Sequence, residues 1–410
     1  MRRTILILST LICIISVLSA REVTIRRERT YMRQSPGSYS AIITEVPVNT
    51  KVTILERSSP WLKVKYKNRV GYISETATKA QQPRNDAFAG ISQTGTSGVT
   101  RHSISAGVKG FAERFAGNRA DPAAFIAMVI DMRLDEAKYA AFRSETYRNQ
   151  NASSFRRAYH LPTRTDPDFF SDAQEGFGIA VASVIAELGI YRNPPIEEYV
   201  NFVANQIVEA SDVTDVNFRV FVLDLPQVNA YACPGGYIFI TRGMLRFLEN
   251  EAELTFVLAH EMAHISRFHG MIETKRRENQ IGAEMAFTEL DFESPDFFPD
   301  EIRNVEEELE KEVEAMFENL IQGRLDDYER EADLIGLLYM ARTGYDTNQS
   351  NALLKRMTTA RTSSNNAHYR PESITARIQW VSREVSRYNN SRLKFNTLRD
   401  RYKKAMQTLG

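Results

Sequence analysis

The 410-residue chain carries 52 basic and 52 acidic side chains, and 43% of it is hydrophobic. This balance leaves no basic footprint for nucleic acid, while the apolar content is enough for a catalytic-sized core and a smaller module. Two cysteines, Cys13 and Cys233, cannot build a disulfide framework, so stability must come from core packing or a bound metal.

Residues 1–20, MRRTILILSTLICIISVLSA, begin with two arginines, continue as an apolar run from Thr4 to Leu18 and end on Ser19 and Ala20. This is the layout of a cleaved signal peptide, and the run is shorter than the roughly 20 apolar residues of a spanning helix. We expect export to the periplasm or cell envelope. A retained anchor, or peripheral association with the envelope, is the competing expectation. Cys13 follows Ile12 in mid-run, which argues against lipidation.

Residues 21–78 change rhythm every few positions. Alternation through Leu62, Val64 and Tyr66, with Pro36-Gly37, Lys67-Asn68 and Gly71 as turn residues, predicts a small all-β barrel of short strands. The closing SSPWLKVKYKNRVGYIS resembles a bacterial SH3-like domain: a tryptophan strand, a tight turn and a Gly-aromatic-hydrophobic strand. That resemblance implies a peptide or cell-wall ligand held by aromatics; alternatively, Trp61 and Tyr72 simply fill a small core. Residues 79–105, rich in Gly, Ser, Thr and Gln without apolar period, read as a linker.

Residues 106–160 are expected to form a helical extension without a chemical motif. In residues 161–410 helices should outnumber strands. Ser171 and Gln174 stand at capping-box spacing before a broad apolar face. Pro195 opens a helix with Ile196, Tyr199, Val200, Val203 and Ile207 on one side. NFRVFVLDLP and GGYIFITRG read as strands, and a long helical run from about Asn304 to Arg342 ends at Gly344. The fold class is α+β: a mainly helical domain with a small sheet, preceded by the SH3-like barrel.

VLAHEMAHISRFHG, residues 257–270, places His260, Glu261 and His264 in a helix that is apolar around most of its circumference. Burying them without partners would cost several kcal/mol. Four residues at about 100° each leave His260 and His264 about 40° apart on one face, suited to binding one ion. Glu261 sits beside them, placed for a water rather than for the metal. His269, nine residues beyond His260, falls on the opposite face of an extended helix and reads as structural, a cation at the helix C-terminus. A zinc site of this kind needs a third protein ligand. The His-x-x-Gly-x-x-His continuation is absent, since Arg267 and Gly270 occupy its last two positions. In DYEREADLIG, Glu329 and Asp333 share a helix face while Glu331 turns about 200° from Glu329, so only one of the two glutamates can face the metal.

At these residues the chain from about Asp172 to Arg377 resembles the zinc endopeptidase family that includes the heat-shock protease HtpX and the CAAX prenyl protease, most closely its soluble exported members. NAYACPGGYIFITRGML, HEMAHISRFHG and EREADLIGLLYMARTGYD stand in the family's order. The resemblance implies a zincin-like domain over residues 161–410, Glu329 as third zinc ligand and Asp333 orienting a ligand histidine. It also implies that the strand from Gly235 to Thr241 is a sheet edge where a polypeptide substrate adds, with Asn229, Gly235, Gly236 and Tyr237 as its contacts. His368, in a loop that matches the family's His-Pro pattern imperfectly, is a candidate for stabilising an oxyanion or gating the metal. Cys233 reads as a buried thiol, with contact to the metal as the alternative. The expected reaction is zinc-assisted peptide hydrolysis with Glu261 as general base, serving quality control of misfolded or unassembled envelope proteins. Residues 271–303 could form a lid. The rival reading is a weakly active or inactive protein on the same fold, acting as a chaperone or as a binding module through its SH3-like part.

Overall fold

The computed structural model describes residues 21–79, 122–161, 172–270 and 326–409, apart from residues 28, 29, 38, 39, 59, 149, 215, 362–370 and 389–391, and also residues 272, 311, 313, 315–317 and 320. The expected signal segment, Ser171, His368, nearly all of the linker and the expected lid except Ile272 lie outside the described residues. No helix among the described residues is long and apolar enough to cross a membrane. Two compact units divide the chain near residue 80.

The first unit is an antiparallel sheet of β1 (Arg21–Thr24), β2 (Thr30–Arg33), β3 (Ile42–Val46), β4 (Lys51–Ser58), β5 (Trp61–Tyr66) and β6 (Arg69–Ser74), in the order β1-β4-β5-β6-β2-β3. Leu62 and Val64 alternate into a core shared with Ile25, Met32 and Ile73, while Lys63 and Lys65 between and beyond them lie more open. Lys67 takes a φ of 52° where β5 turns into β6. Gly71, expected in a turn, lies inside β6 opposite Val64, where a Cβ would come within 2.6 Å of Met32 Cγ. Trp61 is buried, whereas Tyr72 is half-buried with Lys63 over its ring.

The second unit is mainly helical. Its first helices are α1 (Pro122–Asp131), α2 (Glu136–Thr146), α3 (Ala152–Ala158), α4 (Asp172–Ala186) and α5 (Pro194–Ala210). A three-stranded sheet follows, made of β7 (Arg219–Leu223), β8 (Ala230–Cys233) and β9 (Tyr237–Thr241), and then α6 (Arg242–Phe247) and α7 (Glu251–Ser266). Helices α8 (Asp326–Thr343), α9 (Asn348–Arg361), α10 (Pro371–Val385) and α11 (Arg399–Ala405) complete it. Asn193 caps α5, and the five predicted apolar positions of that helix are buried. Asn201, also buried, donates to the Val220 carbonyl and accepts from its amide, so α5 is tied to β7 by a side chain that mimics a strand partner.

The sheet order corrects the expected edge. β9 is central, parallel to β7 and antiparallel to β8, and among the described residues β8 ends the order next to it. The run Gly235–Thr241 therefore cannot offer a sheet edge. Gly235 and Gly236 have φ of 80° and 95° and form the turn from β8 into β9, so their backbone freedom serves that turn.

Every residue of α7 is buried. It packs against α8, and Gly336 marks the closest approach: a Cβ there would lie 3.1 Å from the His260 amide nitrogen and 3.2 Å from its Cα. Glu329, Asp333 and Gly336 follow helical spacing, so the stripe of α8 that lacks a side chain at one point carries two carboxylates at the others. Gly336→Val should push the helices apart and destabilise the unit by about 1–3 kcal/mol, the usual size of an overpacking penalty. A thermal melt should then show a Tm several degrees below wild type; an unchanged Tm would mean that the contact yields freely.

Candidate metal centre

Asn250 caps α7 by accepting from the Glu253 amide at 3.0 Å, and Glu251 and Glu253 occupy the first turn, where acidic groups complement the helix dipole. The helix then delivers His260 and His264 one turn apart. Their Nε2 atoms lie 3.0 Å from each other. Glu329 Oε2 lies 3.4 Å from His260 Nε2, and its Oε1 lies 3.3 Å from His264 Nε2. A tetrahedral ion with bonds of about 2.0–2.1 Å sets its donors about 3.3 Å apart, so this spacing fits one small cation. Among the described residues, this is the group of donors that could hold a metal.

The far side of His260 is also occupied. Its Nδ1 lies 2.9 Å from Asp333 Oδ1, which leaves Nε2 directed at the other donors. Asp333 is fully buried and also accepts from Arg377 Nε at 3.0 Å, Arg377 Nη2 at 2.8 Å and Trp380 Nε1 at 2.8 Å. Arg377 extends a third nitrogen, Nη1, to Glu329 Oε2 at 3.1 Å. Burial alone would raise both carboxylates and is the largest single influence, but the Arg377 charge and the histidine contacts together outweigh it; Glu329 is held well below its usual range and Asp333 below its own. Arg377 and Trp380 are one turn apart on α10, and neither was predicted as a site residue.

Glu261 is buried beside His260 on α7. Tyr231 of β8 is close enough to feel it: burial raises the Tyr231 phenol, its bond to Asn229 lowers it, and the Glu261 charge raises it again. Asn229 also accepts from the Ala230 amide and donates its own amide to Thr241 Oγ1, fixing the entry to β8. Tyr237 is buried in β9 opposite Cys233. Cys233 is itself fully buried, packed with Phe221 and Phe239, and is not one of the three converging donors.

His269 departs from its expected place. Helix α7 ends at Ser266, and Phe268 takes a φ of 59°, a left-handed conformation that costs a non-glycine residue roughly 1–2 kcal/mol. The chain leaves the regular helix path there, so a helical wheel extended to residue 269 points the wrong way. His269 is buried with its Nδ1 2.9 Å from His264 Nδ1, its Nε2 3.3 Å from Glu331 Oε2 and its ring stacked on Tyr328. Glu331, turned away from Glu329, meets Arg267 and His269 instead. The left-handed residue is a phenylalanine rather than a glycine, which is why periodicity missed the break.

Residues 194–379 match the family described as Peptidase family M48. The second unit carries a peptidase family M48 domain. Residues 28–78 match a Bacterial SH3 domain, in agreement with the fold of the first unit. The chain is 29% identical over 89 residues to the Beta-barrel assembly-enhancing protease of Yersinia pestis, covering 22% of this chain and 18% of that protein. It is 28% identical over 187 residues to the Mitochondrial metalloendopeptidase OMA1 of Schizosaccharomyces pombe, covering 44% of this chain and 50% of that protein. Against the Metalloendopeptidase OMA1, mitochondrial, of Danio rerio it is 37% identical over 73 residues, 18% of this chain and 15% of that protein. The matched segments thus span half or less of each of these relatives. The M48 domain contains all three converging donors, together with Glu261, Asp333 and Arg377.

The protonation of the M48 site without metal follows from its charges. Burial and Arg377 both push His260 down, but the carboxylates of Glu329 and Asp333 outweigh them and raise it to about 9. Below that pH His260 holds a proton that an incoming cation must displace. Metal affinity should therefore climb by about tenfold per pH unit between about pH 6 and 8, one proton being released per ion bound. Competition against a chelator of known affinity at several pH values measures this slope; a flat profile would contradict the assignment.

Proposed function

We propose that this protein is a zinc-dependent metalloendopeptidase that hydrolyses peptide bonds of misfolded or unassembled cell-envelope proteins. The observation that carries the reading is the convergence of His260, His264 and Glu329, with Glu261 next to His260 on the buried helix that carries both histidines. Two imidazole nitrogens and one carboxylate form a donor set suited to zinc, whose catalytic sites take three protein ligands and keep a position open. Bound there, zinc supplies Lewis acidity towards a carbonyl and a water. Glu261 takes a proton from the attacking water and passes it to the leaving amine as the peptide bond breaks. Asp333 fixes the ring of His260, and Arg377 holds Asp333 and Glu329 together. Tyr231, within range of the Glu261 charge, puts β8 beside the reacting groups, so the substrate backbone is best placed along that side of the sheet rather than along β9.

Two features support the envelope as the place of action: the signal-peptide layout of residues 1–20 and the likeness to an assembly-enhancing protease of a bacterium. A role of the SH3-like unit in holding peptide or cell-wall material remains secondary. Trp61 is buried, and the half-buried rings of Tyr31, Tyr66 and Tyr72 each have a cation of their own unit over them. His368 stays a candidate for oxyanion stabilisation or gating on the family resemblance.

Glu261→Gln should retain one metal per chain and lose about 10²–10⁴-fold in cleavage of unfolded casein. Chelator should abolish the wild-type activity and added zinc restore it. Cleavage at the wild-type rate by the Gln variant, or insensitivity to chelator, would overturn this reading.

A further inference from the structure

His264 is the metal donor whose orientation the M48 machinery described so far leaves unexplained. Asp333 backs His260, and the arrangement behind His264 is different. Its Nδ1 instead faces His269 Nδ1 at 2.9 Å, with the two rings steeply inclined at 76°. His269 is 1% exposed, is stacked on Tyr328 at 4.8 Å between ring centres, and directs Nε2 at Glu331 Oε2, 3.3 Å away.

Only one arrangement of protons lets this chain work with a metal. To present a lone pair to a cation from Nε2, neutral His264 must carry its proton on Nδ1. At 2.9 Å that proton points at His269 Nδ1, which must then be an acceptor. Neutral His269 therefore carries its own proton on Nε2, towards the Glu331 carboxylate. The reverse arrangement, with His269 Nδ1 as the donor, would place a proton on His264 Nε2 and spoil it as a ligand. Glu331 selects between the two because a carboxylate accepts and does not donate.

We propose that His269 is a positioning residue which, backed by Glu331, orients His264 and selects the tautomer that binds the catalytic metal. The inference rests on the metalloendopeptidase reading and deepens it: each ligand histidine has its own support, an aspartate behind one and a histidine–glutamate pair behind the other. Loss of such support typically weakens metal binding by about 10- to 100-fold.

The test compares the full chain with three variants, measuring zinc affinity by chelator competition and the melting temperature of the metal-free protein. His269→Phe keeps the ring and its stack on Tyr328 but removes the acceptor; it should bind zinc about 10- to 100-fold more weakly with an unchanged metal-free Tm. His269→Asn restores an acceptor near the position of Nδ1 and should recover most of the affinity, a rescue that a purely packing role would not give. Glu331→Ala, at a half-exposed position, should weaken binding several-fold. Wild-type affinity in His269→Phe would overturn the proposal and leave the peptidase reading intact, and so would an Asn variant no better than Phe. If the Phe variant does not fold, Glu331→Ala decides: unchanged affinity there overturns the relay. A wild-type chain that binds no zinc would remove the peptidase reading, and the proposal with it.

Discussion

A helix buried on every side that carries two imidazoles needs polar partners brought to it by another part of the chain, and that requirement organises the second unit. The partner is α8, whose Gly336 allows it to approach the backbone of His260 and whose Glu329 and Asp333 then reach both nitrogens of that ring. A bulkier residue at 336 would hold the carboxylates away from the imidazoles they satisfy. Helix packing and site geometry are thus one constraint.

The charges in this contact do not cancel among themselves. Glu329 and Asp333 bring two negative charges, and Arg377, bridging them, supplies one positive charge. The remainder favours a cation at the point where the donors converge, and without a metal a proton on His260 takes that place, as its pKa of about 9 records. The guanidinium is well matched to this task because its nitrogens span two carboxylates in fixed geometry while staying charged at any working pH. It lies on α10, so a third helix is tied to the same centre, and Trp380 one turn further on adds its indole N–H to Asp333.

What could be read from the sequence follows the range of the interactions involved. His260, Glu261 and His264 were legible because a helix repeats over four residues and the surrounding apolar run announces burial. Helix α5 and strands β7 and β9 were legible for similar local reasons, although β8, four residues followed by Pro-Gly-Gly, was not singled out as a strand. Strand order is a non-local property; hence β9 could be found as a strand and still be misplaced at an edge. Spacing left the choice between Glu329 and Glu331 open; Glu329 came from family likeness, and the geometry shows why Glu331 is not its equivalent. Arg377 and Trp380 act only through tertiary contacts, the first with Glu329 and Asp333 and the second with Asp333, and no local pattern marks them. His269 was misread because a regular helix was extended past its last residue.

The centre is held by the fold rather than by the ion. A small zinc module is unfolded without metal because its ligands have no other reason to meet. Here the three donors converge from a buried helix and the buried face of α8, packed among apolar residues, and Asp333 and His269 occupy the ring nitrogens that face away from the point of convergence, with Arg377 holding Asp333. Such preorganisation moves the expense of gathering the ligands from metal binding to folding. It also gives the site its directionality, since nitrogens already turned towards one point favour an ion there over other arrangements of the same side chains.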